Sequence, residues 1–501
     1  MLKFAPVFQS SAVLQREKPV AVWGQADPGA EVTVILGSAS AKTAAAENGC
    51  WKVTLPGQET ARGLTLTARS GAEQISCEDI ALGEVWLAGG QSNMEFYLRF
   101  DADREDAYRE GCSDDLRYYC CPKLSYPGQE EDEDHSHEGI WRKADRENLP
   151  HFSAVGFYFQ KYLRENLNGV PVGILDCSWG GTSASCWMSD EYLTGDLAEY
   201  IRLREETRKL DLERELEAFR QTTRQRSLPE MKEQFERMMA TPITEPMSFA
   251  LTPEMMEAFL RTKYAPFSQF SAAGLYHKML KPVMPYGIRG FLWYQGEEDS
   301  NHPELYQHLF TNMIRCWRDG WGEELPFLFA QLTAFKNPGG WNLLDFVPIR
   351  QAQTLTAKTV EGVHMVCTMD AGLPYDIHPK QKRPVGQRLA RQALCYAYGQ
   401  DLLCEAPQVV SAEKGEGTIT VSFANCGEGF LPCERVEELK LFVNGIQTAF
   451  SPSVSGNAVT LTVAGLRSTD LCRLEYAIVD YCEMSLFNSV GHPALPFTAE
   501  I

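Results

Sequence analysis

Gly83-Glu84-Val85-Trp86-Leu87-Ala88-Gly89-Gly90-Gln91-Ser92-Asn93-Met94 decides how the rest of the chain is read. Its first six residues read as a buried strand, and two glycines then deliver a serine at the strand's C-terminal end. Open α/β sheets place their chemistry at that end. The segment from Asn93 to Phe100 predicts a helix, whose first backbone N–H groups lack internal partners and can stabilise a developing oxyanion. Ser92 is therefore the candidate nucleophile, with an ordinary helix-capping serine as the alternative.

Three further stretches have the same character. Val172-Gly173-Ile174-Leu175 leads into Asp176-Cys177-Ser178-Trp179-Gly180-Gly181-Thr182, a second strand ending in paired glycines whose N–H groups can approach a ligand closely. Phe291-Leu292-Trp293-Tyr294-Gln295-Gly296-Glu297 is a third strand, and the Gln295 side chain can donate to an oxyanion. Asp376-Ile377-His378-Pro379 follows the strand-like Val363-His364-Met365-Val366-Cys367 and supplies a candidate base, His378. Ser183 and Ser185 follow the glycine pair as competing nucleophiles.

In this order the four blocks resemble the SGNH hydrolase superfamily, and within it the sialate O-acetylesterase branch. Phe152-Ser153-Ala154-Val155, Gly274-Leu275-Tyr276, Arg350-Gln351-Ala352-Gln353 and Pro493-Ala494-Leu495-Pro496-Phe497 look like further landmarks of that branch, so the likeness spans nearly the whole chain apart from a helical stretch in the middle. The resemblance implies a flavodoxin-like, three-layer αβα hydrolase domain with a parallel sheet. It also implies that Ser92 attacks an acetyl carbonyl, that His378 takes its proton, and that the oxyanion sits among the Ser92 N–H, the Gly181 N–H and the Gln295 side chain. Acyl transfer needs that set: an activated hydroxyl, a base that returns the proton to the leaving alcohol, and preorganised donors. Gln91, Asn93 and Glu297, in the same blocks, are candidate substrate contacts.

One position departs from the superfamily, which places its acid three residues before the histidine. Tyr375 stands there, and the nearest carboxylate, Asp376, lies two before. Asp376, Asp370 or a backbone carbonyl remain as the group orienting His378, the last leaving a Ser-His dyad.

Length and composition fit an ordinary globular chain of about three domains, since roughly 150 residues make one. The net charge of −20 argues against nucleic acid or an anionic membrane as partner, because both select basic surfaces. Sialic acid is itself an anion, so Arg350 and the cations just past His378, Lys380, Lys382 and Arg383, are candidates to hold its carboxylate, with solvated surface charge as the alternative. None of the fifteen cysteines forms a C-x-x-C pair, and most read as small buried hydrophobes in a reducing compartment. The N-terminus lacks the apolar core of a signal peptide and no run approaches a membrane span, so the expectation is a cytoplasmic protein. No cofactor is implied. The acidic run from Glu130 to Glu138 reads as a solvated loop rather than a metal site, because nothing in it fixes a coordination geometry.

Alternating segments at Val20–Trp23 and Glu31–Leu36 around Asp27-Pro28-Gly29 suggest a β-sandwich over residues 1–80. Residues 81–402 alternate strands with helical patterns, as in Phe152–Leu167 before a strand at Val170 and Glu304–Trp317 before a strand at Pro326–Leu332, which predicts a mostly parallel sheet with helices on both sides. A charge-rich, leucine-spaced stretch at about 190–262 predicts an inserted helical hairpin that covers the site, supports a homodimer or is a solvated excursion. From 403 to 501 the β pattern returns, with a hairpin signal at Asn444-Gly445, and the resemblance implies a second β-sandwich. Two function classes follow: an esterase acting on acetylated sialic acids, with acetylxylan or another glycan as rival substrate, or a non-catalytic carbohydrate-binding protein on a hydrolase scaffold.

Overall fold

The computed structural model describes residues 1–246, 253–336 and 345–501. Its organising element is β1 (Glu73–Gly90), buried without a break from Ile80 onward. A strand covered on both faces reads as a continuous apolar run rather than an alternation, which is why Val85-Trp86-Leu87-Ala88 takes this central place. Around it lie β2 (Ser113–Cys120), β3 (Trp141–Ala144), β4 (Val172–Ser178), β5 (Gly290–Tyr294), β6 (Phe327–Ala330) and β7 (Val363–Val366). The sheet order is β3-β2-β4-β1-β5-β6-β7, parallel throughout except for β3. Register puts Ser178 of β4 and Tyr294 of β5 beside Gly90 on its two sides, so three strands end level with one another.

The helices that matter are α1 (Ser92–Glu95), α2 (Ala154–Asn166), α3 (Pro303–Trp321), α4 (Phe346–Thr359) and α5 (Arg383–Tyr396). Trp86 meets Phe159 of α2 edge-on at 5.1 Å, whereas Phe291, the β5 partner of Leu87, meets Trp317 of α3 at 5.4 Å. Neighbouring residues of a strand point to opposite faces, so α2 and α3 cover opposite sides of the sheet. α5 packs beside α2 and α4 beside α3. α2 ends where Asn168 and Gly169 both turn to positive φ, as the Asn-Gly pair predicts.

The N-terminal residues form a three-stranded antiparallel sheet and a second antiparallel group that β1 carries into the central sheet. Their apolar side chains share one continuous core with the parallel strands. The C-terminal residues make two four-stranded antiparallel sheets around a separate core that includes Leu441, Leu461 and Leu474. Asn444 and Gly445 both adopt positive φ between paired Val443 and Ile446, the hairpin their sequence predicts.

Three expectations are corrected. The helix expected over Asn93–Phe100 is one α turn followed by a 3-10 turn at Leu98–Phe100, because Tyr97 bridges to Ser153 and the Leu98 N–H donates to the Phe152 carbonyl. Pairing with that segment outweighs local helix preference. The expected helical hairpin is four helices, Ala198–Thr207, Leu212–Arg226, Pro229–Ala240 and Pro253–Thr262, with residues 247–252 of the stretch outside the described part. The acidic run is not simply solvated. Asp132 is buried between Arg220 and Arg224 of the inserted helices, at 2.8 and 2.6 Å.

Candidate active site

The strands on either side of β1 are reached by oppositely directed crossovers, which opens a crevice at its C-terminal end. Ser92 stands in that crevice. The approach requires glycine: Gly90 has φ +141°, and a Cβ there would lie 2.2 Å from the Tyr294 carbonyl oxygen. β4 then places its diglycine turn directly against the serine, since a Cβ on Gly180 would sit 3.4 Å from the Ser92 Cβ.

His378, far away in the chain, arrives on the loop between β7 and α5, and its Nε2 lies 2.9 Å from Ser92 Oγ. Burial, with Lys382 and Lys380 adding like charge, holds the imidazole well below its ordinary value. It is therefore neutral at neutral pH, the state in which Nε2 can accept a proton.

Asp376 does not take the orienting role expected of it. Its buried carboxylate accepts the His378 backbone N–H at 3.0 Å and the Ile243 N–H at 3.2 Å, and pairs with Lys380 Nζ at 3.1 Å. A side chain two residues before the ring folds back onto the backbone more readily than it reaches Nδ1. Asp370 is also committed, to Arg388, through two bonds of 2.7 Å. Among the described residues no carboxylate bonds to the imidazole.

Of the expected oxyanion donors, the Ser92 and Gly181 N–H groups have no hydrogen-bond partner among the described residues. Gln295 differs. Its amide N–H groups are spent on the Thr182 carbonyl at 3.2 Å and on Asp299 at 2.6 Å, while its oxygen accepts from Tyr306. Flipping the amide would set its oxygen against the Asp299 carboxylate, so the network fixes the orientation and denies Gln295 to an oxyanion. Ser183 is held by the same Asp299, at 2.6 Å, and bonds Ser185 at 2.9 Å; the only histidine bonded to a candidate serine hydroxyl is the one on Ser92 among the described residues.

The expected substrate contacts divide similarly. Gln91 uses its carbonyl oxygen to accept the Glu298 N–H at 3.3 Å and keeps its amide N–H groups free of partners among the described residues. Asn93 and Glu297 face away from substrate into a buried chain: Lys382 Nζ donates to Asn93 Oδ1 at 2.5 Å, and Asn93 Nδ2 donates to Glu297 at 2.6 Å and to the Ile377 carbonyl at 3.0 Å. Burial pushes the Lys382 ammonium down to about 7, against the pull of Glu297 and Asp101, and raises the Glu297 carboxyl. Arg350 is buried under the C-terminal segment and donates to the Thr333 and Val479 carbonyls. Lys380 is buried on Asp376 and beneath the Phe96 ring. Neither cation can meet a substrate carboxylate.

Four residues have positional importance; the sequence offers Lys382 only as a candidate cation for the substrate and does not single out Asp299, Glu95 or Lys123. Lys382 closes the buried chain under the nucleophile, Asp299 ties Ser183, Ala184 and Gln295 together, and Glu95 with Lys123 holds the diglycine turn. Of the last three only Glu95 left a trace, as a carboxylate three places after Ser92 and so on the same side of any helical turn. The segments that follow two of the inserted helices reach the site as well, through the Ile243 N–H on Asp376 and an ion pair between Lys263 and Glu298.

Residues 261–395 match the family described as carbohydrate esterase, sialic acid-specific acetylesterase. The sialate O-acetylesterase of Mus musculus is 27% identical over 451 residues, covering 79% of this chain and 74% of its own. That of Homo sapiens is 27% identical over 446 residues, covering 81% and 73%. The crystal structure of a carbohydrate acetylesterase from Xanthomonas citri superposes with a TM-score of 0.76 at 25% identity, covering 99% of both chains. The likeness carried by the four motif blocks thus extends over most of the chain.

Proposed function

We propose that this chain is a carboxylic ester hydrolase that removes O-acetyl groups from sialic acids through a serine acyl-enzyme. The observation that carries the reading is the 2.9 Å contact between Ser92 Oγ and a neutral His378 at the C-terminal crevice of the sheet. A serine hydroxyl is a weak nucleophile unless a base takes its proton as it attacks, and this contact supplies the base.

The chemistry follows from the geometry. Ser92 Oγ attacks the acetyl carbonyl carbon while His378 Nε2 takes the hydroxyl proton. The carbonyl oxygen, now negative, is met by the Ser92 and Gly181 N–H groups, and the loss of one such donor typically costs about 100-fold or more in turnover. His378 returns the proton to the departing sugar oxygen, which leaves the acetyl group on Ser92. A water then attacks the acetyl carbonyl, His378 again accepts a proton, and acetate departs as Ser92 recovers its own. Gln91, with free amide N–H groups beside the nucleophile, is the residue placed to contact the sugar.

The same reading takes the parallel sheet and its two helical layers as the SGNH hydrolase layout at 81–402, flanked by β-sandwiches at 1–80 and 403–501. Support comes from the strand order, although β1 crosses residue 80 without interruption. A cytoplasmic setting is supported by fifteen cysteines that are all free thiols, most of them buried.

Acetate release from 4-nitrophenyl acetate, abolished in Ser92→Ala, separates catalysis from a binding-only scaffold. Acetylated sialate set against acetylated xylan then decides the substrate. Faster turnover of xylan by the wild-type enzyme would overturn the sialate assignment and leave the esterase standing.

A further inference from the structure

The diglycine turn could present any of several N–H groups to the nucleophile, and the structure shows what selects among them. The Trp179 N–H donates to the Gly90 carbonyl at 3.1 Å, and Thr182 Oγ1 donates back to the Trp179 carbonyl at 2.7 Å. Between these anchors the Gly180 N–H is taken by Glu95 Oε2 at 2.6 Å. That leaves the Gly181 N–H, next along the turn, without a partner among the described residues. Two successive glycines have low barriers to peptide rotation, and Gly181 already stands at φ +74°, so nothing intrinsic to the turn fixes this choice.

Glu95 is itself held. Its other oxygen accepts from Lys123 Nζ at 2.7 Å, and Lys123, nearly inaccessible to solvent, also donates to the Tyr97 hydroxyl at 3.1 Å. The carboxylate sits on α1, the same turn that carries Ser92, and the Glu95 N–H donates to the Gln91 carbonyl. One side chain therefore connects the nucleophile's turn to the donor's turn through short bonds at both ends. Charge-assisted bonds of this kind are the stronger class, and burial strengthens them further.

We propose that Glu95 is a positioning residue for the oxyanion hole: by capturing the Gly180 N–H it locks the peptide that follows, so that the Gly181 N–H points at the carbonyl oxygen of the bound ester. Lys123 keeps the carboxylate aimed. The inference rests on the esterase reading above. Without Glu95 the Gly180–Gly181 peptide rotates, and the developing oxyanion loses one of its two donors while the ground-state ester, which needs neither, binds as before.

The test compares two double variants, chosen so that no unpaired charge is buried. Glu95→Gln with Lys123→Met retains an acceptor for the Gly180 N–H, whereas Glu95→Met with Lys123→Met does not. With 4-nitrophenyl acetate, the Gln form is expected to stay near the wild-type kcat. The Met form is expected to fall roughly 100-fold below it in kcat, with KM unchanged within a factor of about three. Equal kcat values for the two forms, or a loss shared equally between kcat and KM, would overturn the proposal. Should either double variant fail to fold, the single variants Glu95→Gln and Glu95→Met, each with Lys123 in place, make the same comparison against the same criteria. A wild-type protein that releases no acetate at all would refute the esterase reading instead, so the two failures are distinguishable.

Discussion

Replacing Asp376 with asparagine distinguishes two mechanisms that predict very different losses. In a Ser-His-Asp triad the carboxylate holds the imidazole's tautomer, and Asp→Asn there costs about 10,000-fold in kcat. Here the Asp376 carboxylate accepts the His378 and Ile243 backbone N–H groups and pairs with Lys380, so asparagine changes the support of the loop rather than the ring. The Asn oxygen can still accept the His378 N–H, which preserves the position of the base. What is lost is a buried ion pair, and removing one partner of such a pair typically costs about 3–5 kcal/mol. Because Lys380 is already held below its ordinary value by burial, and can neutralise, the expected loss is nearer about 2–4 kcal/mol of folding stability. A residual displacement of the base costing on the order of 1 kcal/mol would lower kcat by less than about tenfold. Denaturant unfolding and steady-state hydrolysis of 4-nitrophenyl acetate, measured on the same preparation, read both quantities. A folded Asp376→Asn enzyme whose kcat falls by about 1,000-fold or more would refute the dyad.

The remaining predictions concern charge. The depressed pKa of His378 places the acid limb of kcat/KM below the ordinary imidazole value of about 6.5, and Lys382→Met, which removes a neighbouring cation, moves that limb upward; a wild-type limb at or above the ordinary value would contradict the environment described. The same shift has a sign in stability: below pH of about 6.5 the unfolded chain binds the His378 proton more readily than the folded one, so folding stability falls as pH drops through this range, and His378→Gln flattens that dependence in acid unfolding curves. Arg350→Met and Lys380→Met lower stability but leave the ratio of kcat/KM for acetylated sialate over a neutral acetyl ester within about twofold, since neither cation is open to substrate. A selective loss on sialate would return either residue to the site.

The parts of this protein that were legible in the sequence are those fixed by local rules. Gly90, Ser92 and the diglycine turn announce themselves because a strand end, a close backbone approach and a nucleophile all demand particular residue types, and Asn444-Gly445 declares its hairpin for the same reason. His378 was legible through its neighbours in the motif, although the contact with Ser92 lies across 286 positions. What could not be read was how polar side chains are spent. Gln295 looks like a donor until Asp299 and Thr182 claim both its N–H groups, and Asp376 looks like an orienter until its bonds to backbone and Lys380 are seen. Arg350 and Lys380 resembled surface cations because burial depends on packing that no local pattern encodes. The short α1 is not legible locally because the chain after it pairs, through Tyr97, with Ser153, far along the sequence.

The central claim is that the Ser92 hydroxyl carries the acyl group. Acid quenching of the enzyme during turnover of 4-nitrophenyl acetate, followed by proteolysis and mass spectrometry, measures this directly. The expected result is an acetylated peptide containing Ser92, absent in Ser92→Ala and accumulating in wild type at a level set by the deacylation rate. Acetyl found on Ser183 or Ser185 instead, with Ser92→Ala still releasing acetate at the wild-type rate, would contradict it.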